Sequence, residues 1–389
     1  MEFSKKLQQL PSQFFASLAQ KVNTAIAEGR DIINLGQGNP DQPTPSHIIE
    51  ALQEAAENPL THKYPPFRGI TELREAAAAF YMREYGVTID PQTEVAIVGG
   101  TKIGLVELPL AIMNPGDMML LPDPGYPDYL SGVALADVQF ATMPLLPENK
   151  FLPDYDALSE DIKEQAKLLY INYPNNPTGA IATYDFFKET VAFAKKHHIA
   201  VAHDFAYGAI GFDGKKPISF LQVEGAKDVG IEFYTLSKTF NMAGWRVGFA
   251  VGNAKMIEAI QLLQDHLFCS LFPAVQHAAA HALSTEQNAV EQLRATYESR
   301  RNVLVEEAAK IGWQVKAPAG SFFAWLPVPQ NYTSEQFTDL LLNKADVAVA
   351  NGKGFGEFGE GYVRVGLLVS EERLREAMQR IAALGIFHK

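Results

Sequence analysis

Short apolar runs, closed by turn residues and alternating with helix-period stretches, constrain this chain more than any other feature. They read EVAIVGG, DMMLLPD, KLLYINYP, IAVAHDFAY, EFYTLSK and RVGFAVGN, and all fall between about residues 94 and 252. A strand that is apolar on both faces has no solvent side. Such runs therefore predict a mostly parallel central sheet covered by helices on both faces, an α/β fold.

Helix-period segments are expected at 46–57, 70–85, 101–112, 183–197, 254–283, 287–310, 334–344 and 371–384. Thr333 stands three residues before Gln336, a capping-box signature for the helix that follows. The runs WQVKAP, FFAWLPV, VAVAN and YVRVGLL suggest a few strands near the C-terminus. At 389 residues, a large unit with a smaller one is expected. The expected division is a large domain at 46–285 and a smaller α/β domain made from 1–45 and 286–389.

The formal charge of −12 argues against a nucleic-acid partner. The single cysteine, Cys269, permits no internal disulfide and is read as a buried, inert thiol. No apolar run reaches the ~18 residues of a membrane span. The opening MEFSKKLQQLPSQFF lacks an apolar core segment and a small-residue cleavage site. A cytoplasmic protein without a membrane partner is expected.

In open α/β sheets, ligands bind beyond the carboxyl ends of the strands. Several polar residues sit there. Gly99, Gly100, Thr101 and Lys102 open a helix, an arrangement suited to phosphate, although a plain tight turn competes. Tyr126 stands on a Pro/Gly turn, where it could stack on a flat ring or half-bury itself. Asn172, Asn175 and Asn176 follow another run, and amides at a buried strand end need partners. Asp204 and Tyr207 end a fourth run, and a carboxylate buried alone is costly. His203 is read as a packing residue or a hydrogen-bond partner behind the site.

Lys238 ends a fifth run, in TLSKTFNMAGWRVGF. Desolvation favours its neutral amine and makes it a usable nucleophile. Thr235, Ser237 and Arg246 add donors suited to a phosphate. Phosphate cradle, stacking ring, carboxylate, phenol, amide and desolvated lysine are together what pyridoxal 5′-phosphate requires.

At this point the chain resembles the class I, fold-type I aminotransferases. The stretches that carry the resemblance are INLGQGNPD, KYPPFRGITELR, GGTKIGL, DPGYPDY, NYPNNPTG, HDFAYGAIGFDG, LSKTFNMAGWRVGF, PAGSFFAW and GEGYVRVGL, in the family's order across nearly the whole length. KYPPFRG, DFAYGAIGFDG and PSQFFASLAQKV are more narrowly similar to the Bacillus-type methionine-salvage branch, which makes methionine from 4-methylsulfanyl-2-oxobutanoate.

The resemblance implies a role for each matching residue. Lys238 forms the Schiff base, Asp204 keeps the pyridine nitrogen protonated, and Tyr207 and Asn176 bond the phenolate oxygen. Tyr126 stacks on the ring. Gly100, Thr101, Lys102, Thr235, Ser237 and Arg246 hold the phosphate, the first three chiefly through backbone N–H groups. Tyr64 reaches the phosphate of a partner subunit, which implies a homodimer with shared active sites. Arg364 clamps the substrate α-carboxylate, beside Gly38 and Asn176. The implied reaction is ping-pong transfer of an amino group between an L-amino acid and a 2-oxo acid.

Thr235 stands where serine is common, and Phe205 follows Asp204 where many members carry glutamate. No arginine is evident for a substrate side-chain carboxylate, so neutral or sulfur-containing substrates are expected. An aspartate/alanine-type aminotransferase and a C–S lyase on the same scaffold remain alternatives. A DNA-binding regulator is disfavoured by the acidity and by the roughly 30 residues before INLGQGNPD. GKGFGEFGEG precedes a strand rather than a helix and is not a dinucleotide fingerprint. His277 and His281 are read as structural helix residues, with no metal assigned. Phe14 and Phe15 are read as anchors of the N-terminal segment, with closure of the pocket as the alternative.

Overall fold

The computed structural model describes residues 2–387. Its strands are β1 (Ile33–Asn34), β2 (Val95–Val98), β3 (Met118–Asp123), β4 (Gln139–Pro144), β5 (Ala166–Asn172), β6 (Ala200–Asp204), β7 (Gly230–Thr235), β8 (Gly248–Gly252), β9 (Phe323–Pro327), β10 (Val347–Ala348), β11 (Ala350–Asn351) and β12 (Tyr362–Gly366). A seven-stranded sheet has the order β2-β8-β7-β6-β5-β3-β4. Only β8 runs antiparallel to its neighbours; the four pairings from β7 to β4 are parallel.

The continuous apolar runs are explained by the two cores they feed. On β5, Leu169 and Ile171 join one core while Leu168 and Tyr170 join the other. On β8, Phe249 and Val251 face the first and Ala250 the second. Alternate side chains point to opposite faces of a strand, so burial on both faces demands apolar residues at every position. A third core gathers Ile33 and Leu35 with Leu293, Tyr297, Phe322, Leu341, Val363 and Leu374. Ala206, Tyr207 and Phe212, which follow β6, pack into that third core.

The helices at Ser46–Glu57, Thr71–Tyr85, Thr101–Ile112, Tyr184–His197, Asn288–Lys310, Ser334–Ala345 and Glu371–Ala382 follow the expected periodicity. The Thr333–Gln336 capping box is formed in both directions. The single helix expected at 254–283 is instead two, Ala254–Leu267 and Pro273–Ser284. Phe268 turns extended, and Pro273 occupies the first turn of the second helix, where its missing N–H costs nothing. Cys269, expected to be buried, lies exposed in this break. WQVKAP forms no ladder; Trp313 is instead anchored by its indole N–H to the Pro327 carbonyl at 2.8 Å. VAVAN divides between β10, parallel to β1, and β11, antiparallel to β12.

His203 and Glu232 lie side by side on β6 and β7, fully buried, on the face opposite Asp204. The Glu232 carboxylate accepts from His203 Nδ1 at 2.6 Å, the Tyr81 and Ser219 hydroxyls at 2.7 Å, and the Phe220 amide at 2.8 Å. His203 Nε2 then accepts from the Tyr173 amide at 3.2 Å. This cluster ties together the strands that end in Asp204 and Thr235. Glu232→Ala strips four donors of their buried acceptor and should lower unfolding free energy by about 3–5 kcal/mol in urea titrations. A loss under about 1 kcal/mol would show that the cluster does not brace the sheet.

Candidate active site

The cleft opens where the strands finish. Asp123, Asn172, Asp204 and Thr235 are the last residues of β3, β5, β6 and β7. Gly99 and Gly100 follow β2, which is parallel to β7 because both pair antiparallel with β8. The start of β8 lies at that same edge, with Gly248 opposite both Val98 and Thr235. Arg246 therefore approaches the glycine turn from the opposite chain direction. A Cβ on Gly100, whose φ is +90°, would collide with the Arg246 guanidinium. That turn admits only glycine.

The cleft encloses about 440 Å³ and is lined by Gly38, Thr101, Lys102, Tyr126, Asn176, Asp204, Tyr207, Thr235, Ser237, Lys238, Arg246 and Arg364. All of these were expected from the sequence. Gly100 adjoins it through Arg246. Tyr64 stands outside it, 91% exposed.

Lys238 is largely withdrawn from solvent, with its amine donating to the Gly38 carbonyl at 2.9 Å, and among the described residues no carboxylate pairs with it directly. Burial, reinforced by repulsion from Arg364 and Arg246, lowers its pKa to about 8. The amine is thus partly neutral near neutral pH. Asp204 is buried, and burial raises its pKa to about 6 against the Tyr129 hydrogen bond. The Tyr129 hydroxyl donates to Oδ2 at 2.8 Å, whereas Oδ1 has no partner. Burial also pushes the Tyr207 hydroxyl up, so it stays a donor.

The three asparagines divide their work. Asn172 donates to the Asp204 carbonyl at 2.7 Å and accepts from the Asn176 amide at 2.7 Å. Asn175 closes its own turn by accepting from the Thr178 amide and hydroxyl. Only Asn176 faces the cleft, where its Oδ1 accepts from Arg364 Nη1 at 2.9 Å. Arg364 also donates to the Gly36 carbonyl at 3.0 Å, while its Nε is unpartnered. Its guanidinium lies 3.8 Å from the Phe323 ring centre and 5.0 Å from that of Phe15. Desolvation lowers its pKa to about 9, with no carboxylate to compensate. Among the described residues, this buried cation has aromatic faces and carbonyls for company, and no acid.

At the other end, the Thr101–Ile112 helix begins without a side-chain cap; the Ile103 amide bonds the Gly100 carbonyl, and the Thr101 and Lys102 amides have no partner among the described residues. The Lys102 side chain is committed to Asp128 at 2.9 Å, which leaves its backbone to the cradle. The Thr235 hydroxyl accepts from the Ser237 amide at 3.2 Å.

The family described as aminotransferase class I and II matches residues 30–381 of this chain. The chain belongs to that family. It is 65% identical over 386 residues to the L-glutamine–4-(methylsulfanyl)-2-oxobutanoate aminotransferase of Bacillus subtilis strain 168, covering 99% of this chain and 97% of that one. It is 50% identical to the transaminase BacF of the same strain, covering 98% of this chain and 96% of that one. The solved apo BacF structure covers 100% of both chains at a TM-score of 0.96 and 49% identity.

As an aminotransferase the protein is pyridoxal 5′-phosphate dependent, and the residues present fit that cofactor. A buried carboxylate oxygen lacks a donor, a lysine amine is partly neutral, and a glycine turn with a guanidinium beside it suits a phosphate.

Three contributors to this site were not anticipated. Tyr129 holds Asp204, yet within DPGYPDY nothing marks it beyond being a second tyrosine. Phe323 and Gly36 flank Arg364 only through the pairing of distant segments. Phe15, by contrast, was anticipated in part: it lines the cleft and stacks with Tyr126 at 6.3 Å, so the anchor reading gives way to its alternative at the pocket. Phe14 does keep the anchoring role, against Phe355 at 5.5 Å.

The lowered Lys238 pKa has a direct readout in cofactor-free protein. Burial disfavours the ammonium, so the reactive amine accumulates as pH rises through about 8, rather than through the ~10.4 of a free lysine. Reductive methylation followed by mass spectrometry should show Lys238 labelling with that midpoint. Arg364→Met removes one repelling cation and should shift the midpoint upward. A wild-type midpoint near that of surface lysines would refute the assignment.

Proposed function

We propose that this aminotransferase works on neutral amino acids with apolar or sulfur-containing side chains. The reaction proposed is conversion of 4-methylsulfanyl-2-oxobutanoate to methionine, with a donor such as glutamine. One observation carries the reading. Of the cations lining the cleft, Lys102 is paired with Asp128, Lys238 is the desolvated amine, and Arg246 lies against the glycine turn. That leaves Arg364 alone for substrate, enough for one carboxylate and not two. The wall beside it is Phe15, Leu18 and Ala19. The similarity to the Bacillus subtilis enzyme supports the same substrate class.

Each residue has a task that its position permits. Arg364 presents a planar, two-point grip to the α-carboxylate. Neutral Lys238 moves a proton at substrate Cα, a role worth about 10²–10⁴-fold. Pyridoxal 5′-phosphate, when bound, supplies an electron sink for the charge left at that carbon. Asp204 Oδ1 keeps a proton on the ring nitrogen. Tyr207 and the Asn176 amide donate to the phenolate oxygen, since Asn176 Oδ1 is already committed to Arg364. Tyr126 supplies the stacking face. Gly100, Thr101 and Lys102 through their amides, with Thr235, Ser237 and Arg246, hold the phosphate. Gly38 positions Lys238 through its carbonyl.

We assign the cofactor-binding unit to 46–285 and the smaller unit to 1–45 with 286–389, in keeping with a third core drawn mostly from the latter segments. We further propose a homodimer in which Tyr64 completes the partner subunit's phosphate site. In support, Tyr64 and Phe67 are exposed, as are Leu267 and Phe272 in and beside the helix break. His62 meets the Phe272 ring at 6.3 Å, which joins these segments into one apolar patch. A cytoplasmic location accords with the lone cysteine. Among the described residues, no helix is long and apolar enough to cross a membrane.

The test is a half-reaction panel. Cofactor-loaded enzyme is mixed with single amino acids, and loss of the cofactor's visible absorbance is timed. Methionine and glutamine should react fast and aspartate slowly, by about tenfold or more in kcat/KM. Fast reaction with aspartate and failure with methionine would overturn the substrate reading.

A further inference from the structure

The glycine-rich segment GKGFGEFGEG bonds Asp123 at the end of β3 and packs against Phe14. It forms two short turns, Gly352–Phe355 and Glu357–Gly359, just before β12 and its Arg364. The carboxylate of Asp123, at the end of β3, is buried against this segment. Its Oδ2 accepts from the Glu357 amide at 3.1 Å and its Oδ1 from the Phe358 amide at 3.0 Å. Two residues on, the Gly125 amide donates to the Phe355 carbonyl at 2.8 Å. The turn that carries Tyr126 is thus fastened by three hydrogen bonds to the segment that precedes Arg364.

Two of the glycines are explained by what lies against them. Gly356 has φ +135°, and a Cβ there would overlap the Asp123 carboxylate. At Gly354 a Cβ would overlap the Phe14 ring. One face of the segment therefore grips Asp123 while the other seats Phe14. Between them, the Phe355 ring packs edge-on to Phe14 at 5.5 Å and to Phe15 at 5.9 Å. Phe14 and Phe15 open the Phe14–Ala27 helix. Of the two, Phe15 lines the cleft, 5.0 Å from the Arg364 guanidinium.

We propose that Asp123 is a positioning residue for substrate side-chain recognition. By gripping the 356–358 backbone it fixes the seat for Phe14, and so holds Phe15 as the apolar wall between Tyr126 and Arg364. Asp123 touches neither cofactor nor substrate; it acts through the segment. The proposal rests on the reading of Arg364 as the α-carboxylate site. A substrate reaching from Lys238 to Arg364 lays its side chain along the Phe15 wall. A long side chain such as that of methionine reaches this wall, whereas the methyl group of alanine is too short.

The test uses the cofactor-loaded enzyme and the absorbance half-reaction with L-methionine and L-alanine. Asp123→Ala should raise the half-saturating concentration for methionine about tenfold and that for alanine less than about threefold. The saturating rates should stay within about twofold, because the lysine, aspartate and arginine of the site are untouched. Asp123→Asn should fall between, since its amide keeps one acceptor and turns an N–H toward the other donor. Gly354→Val leaves Asp123 in place and evicts Phe14; it should reproduce the selective loss for methionine. It also keeps the comparison available if Asp123→Ala does not fold. The proposal is overturned if the variants lose both substrates equally, or lose saturating rate with selectivity intact. The wild-type ratio between the two substrates tests the substrate reading separately, since only a change in that ratio bears on Asp123.

Discussion

The carboxylate of Asp204 sits at the end of a central strand with one oxygen satisfied by Tyr129 and the other without a hydrogen-bond partner among the described residues. Leaving a charge so placed is costly. Raising a carboxyl pKa from 3.8 to about 6 corresponds to about 3 kcal/mol. A fold tolerates that cost where a ligand offsets it, and the ligand proposed is the protonated ring nitrogen of the cofactor, of matching charge. Arg364 repeats the pattern with opposite sign. It is buried and lacks an acidic partner, so it favours a carboxylate from solution. Lys238 lies within electrostatic reach of both, with its own pKa lowered by burial and by Arg364.

The sheet makes this arrangement possible. Parallel strands deliver Asn172, Asp204 and Thr235 to one edge, and the single antiparallel strand, β8, delivers Arg246 there from its beginning. Lys238 and Arg246, eight residues apart, thereby reach one cleft from opposite sides of a β7–β8 turn. On the other face of the sheet, Glu232 and His203 lock β6 to β7 with buried hydrogen bonds. The site thus rests on strands that cannot slide without leaving a buried carboxylate unpaired.

Much of this was legible in the sequence because it is local. A strand buried on both faces must be apolar throughout, so five of the seven large-sheet strands carry most of their signal in their own residues. The sixth, β8, is legible for the same reason. By contrast β4 was missed, since Gln139 and Phe140 are exposed at the sheet edge and the run is not continuously apolar. The break at 268–272 was hidden because both flanking segments share helical periodicity. Strand-end polar residues could be found by position alone. Tyr129 and the Asp123 grip could not, because each depends on which distant segment folds against it. The position of GKGFGEFGEG before a strand ruled out a dinucleotide motif; only the packed structure shows that Phe14 and Asp123 occupy the places of the missing side chains.

We propose that Asp204 holds a proton on the cofactor ring. The most direct measurement is the ¹⁵N chemical shift of the ring nitrogen in enzyme loaded with ¹⁵N-labelled pyridoxal 5′-phosphate, followed from about pH 6 to 9. A protonated pyridinium signal is expected throughout that range, lost in Asp204→Asn. An unprotonated signal in the wild-type enzyme near neutral pH would contradict it.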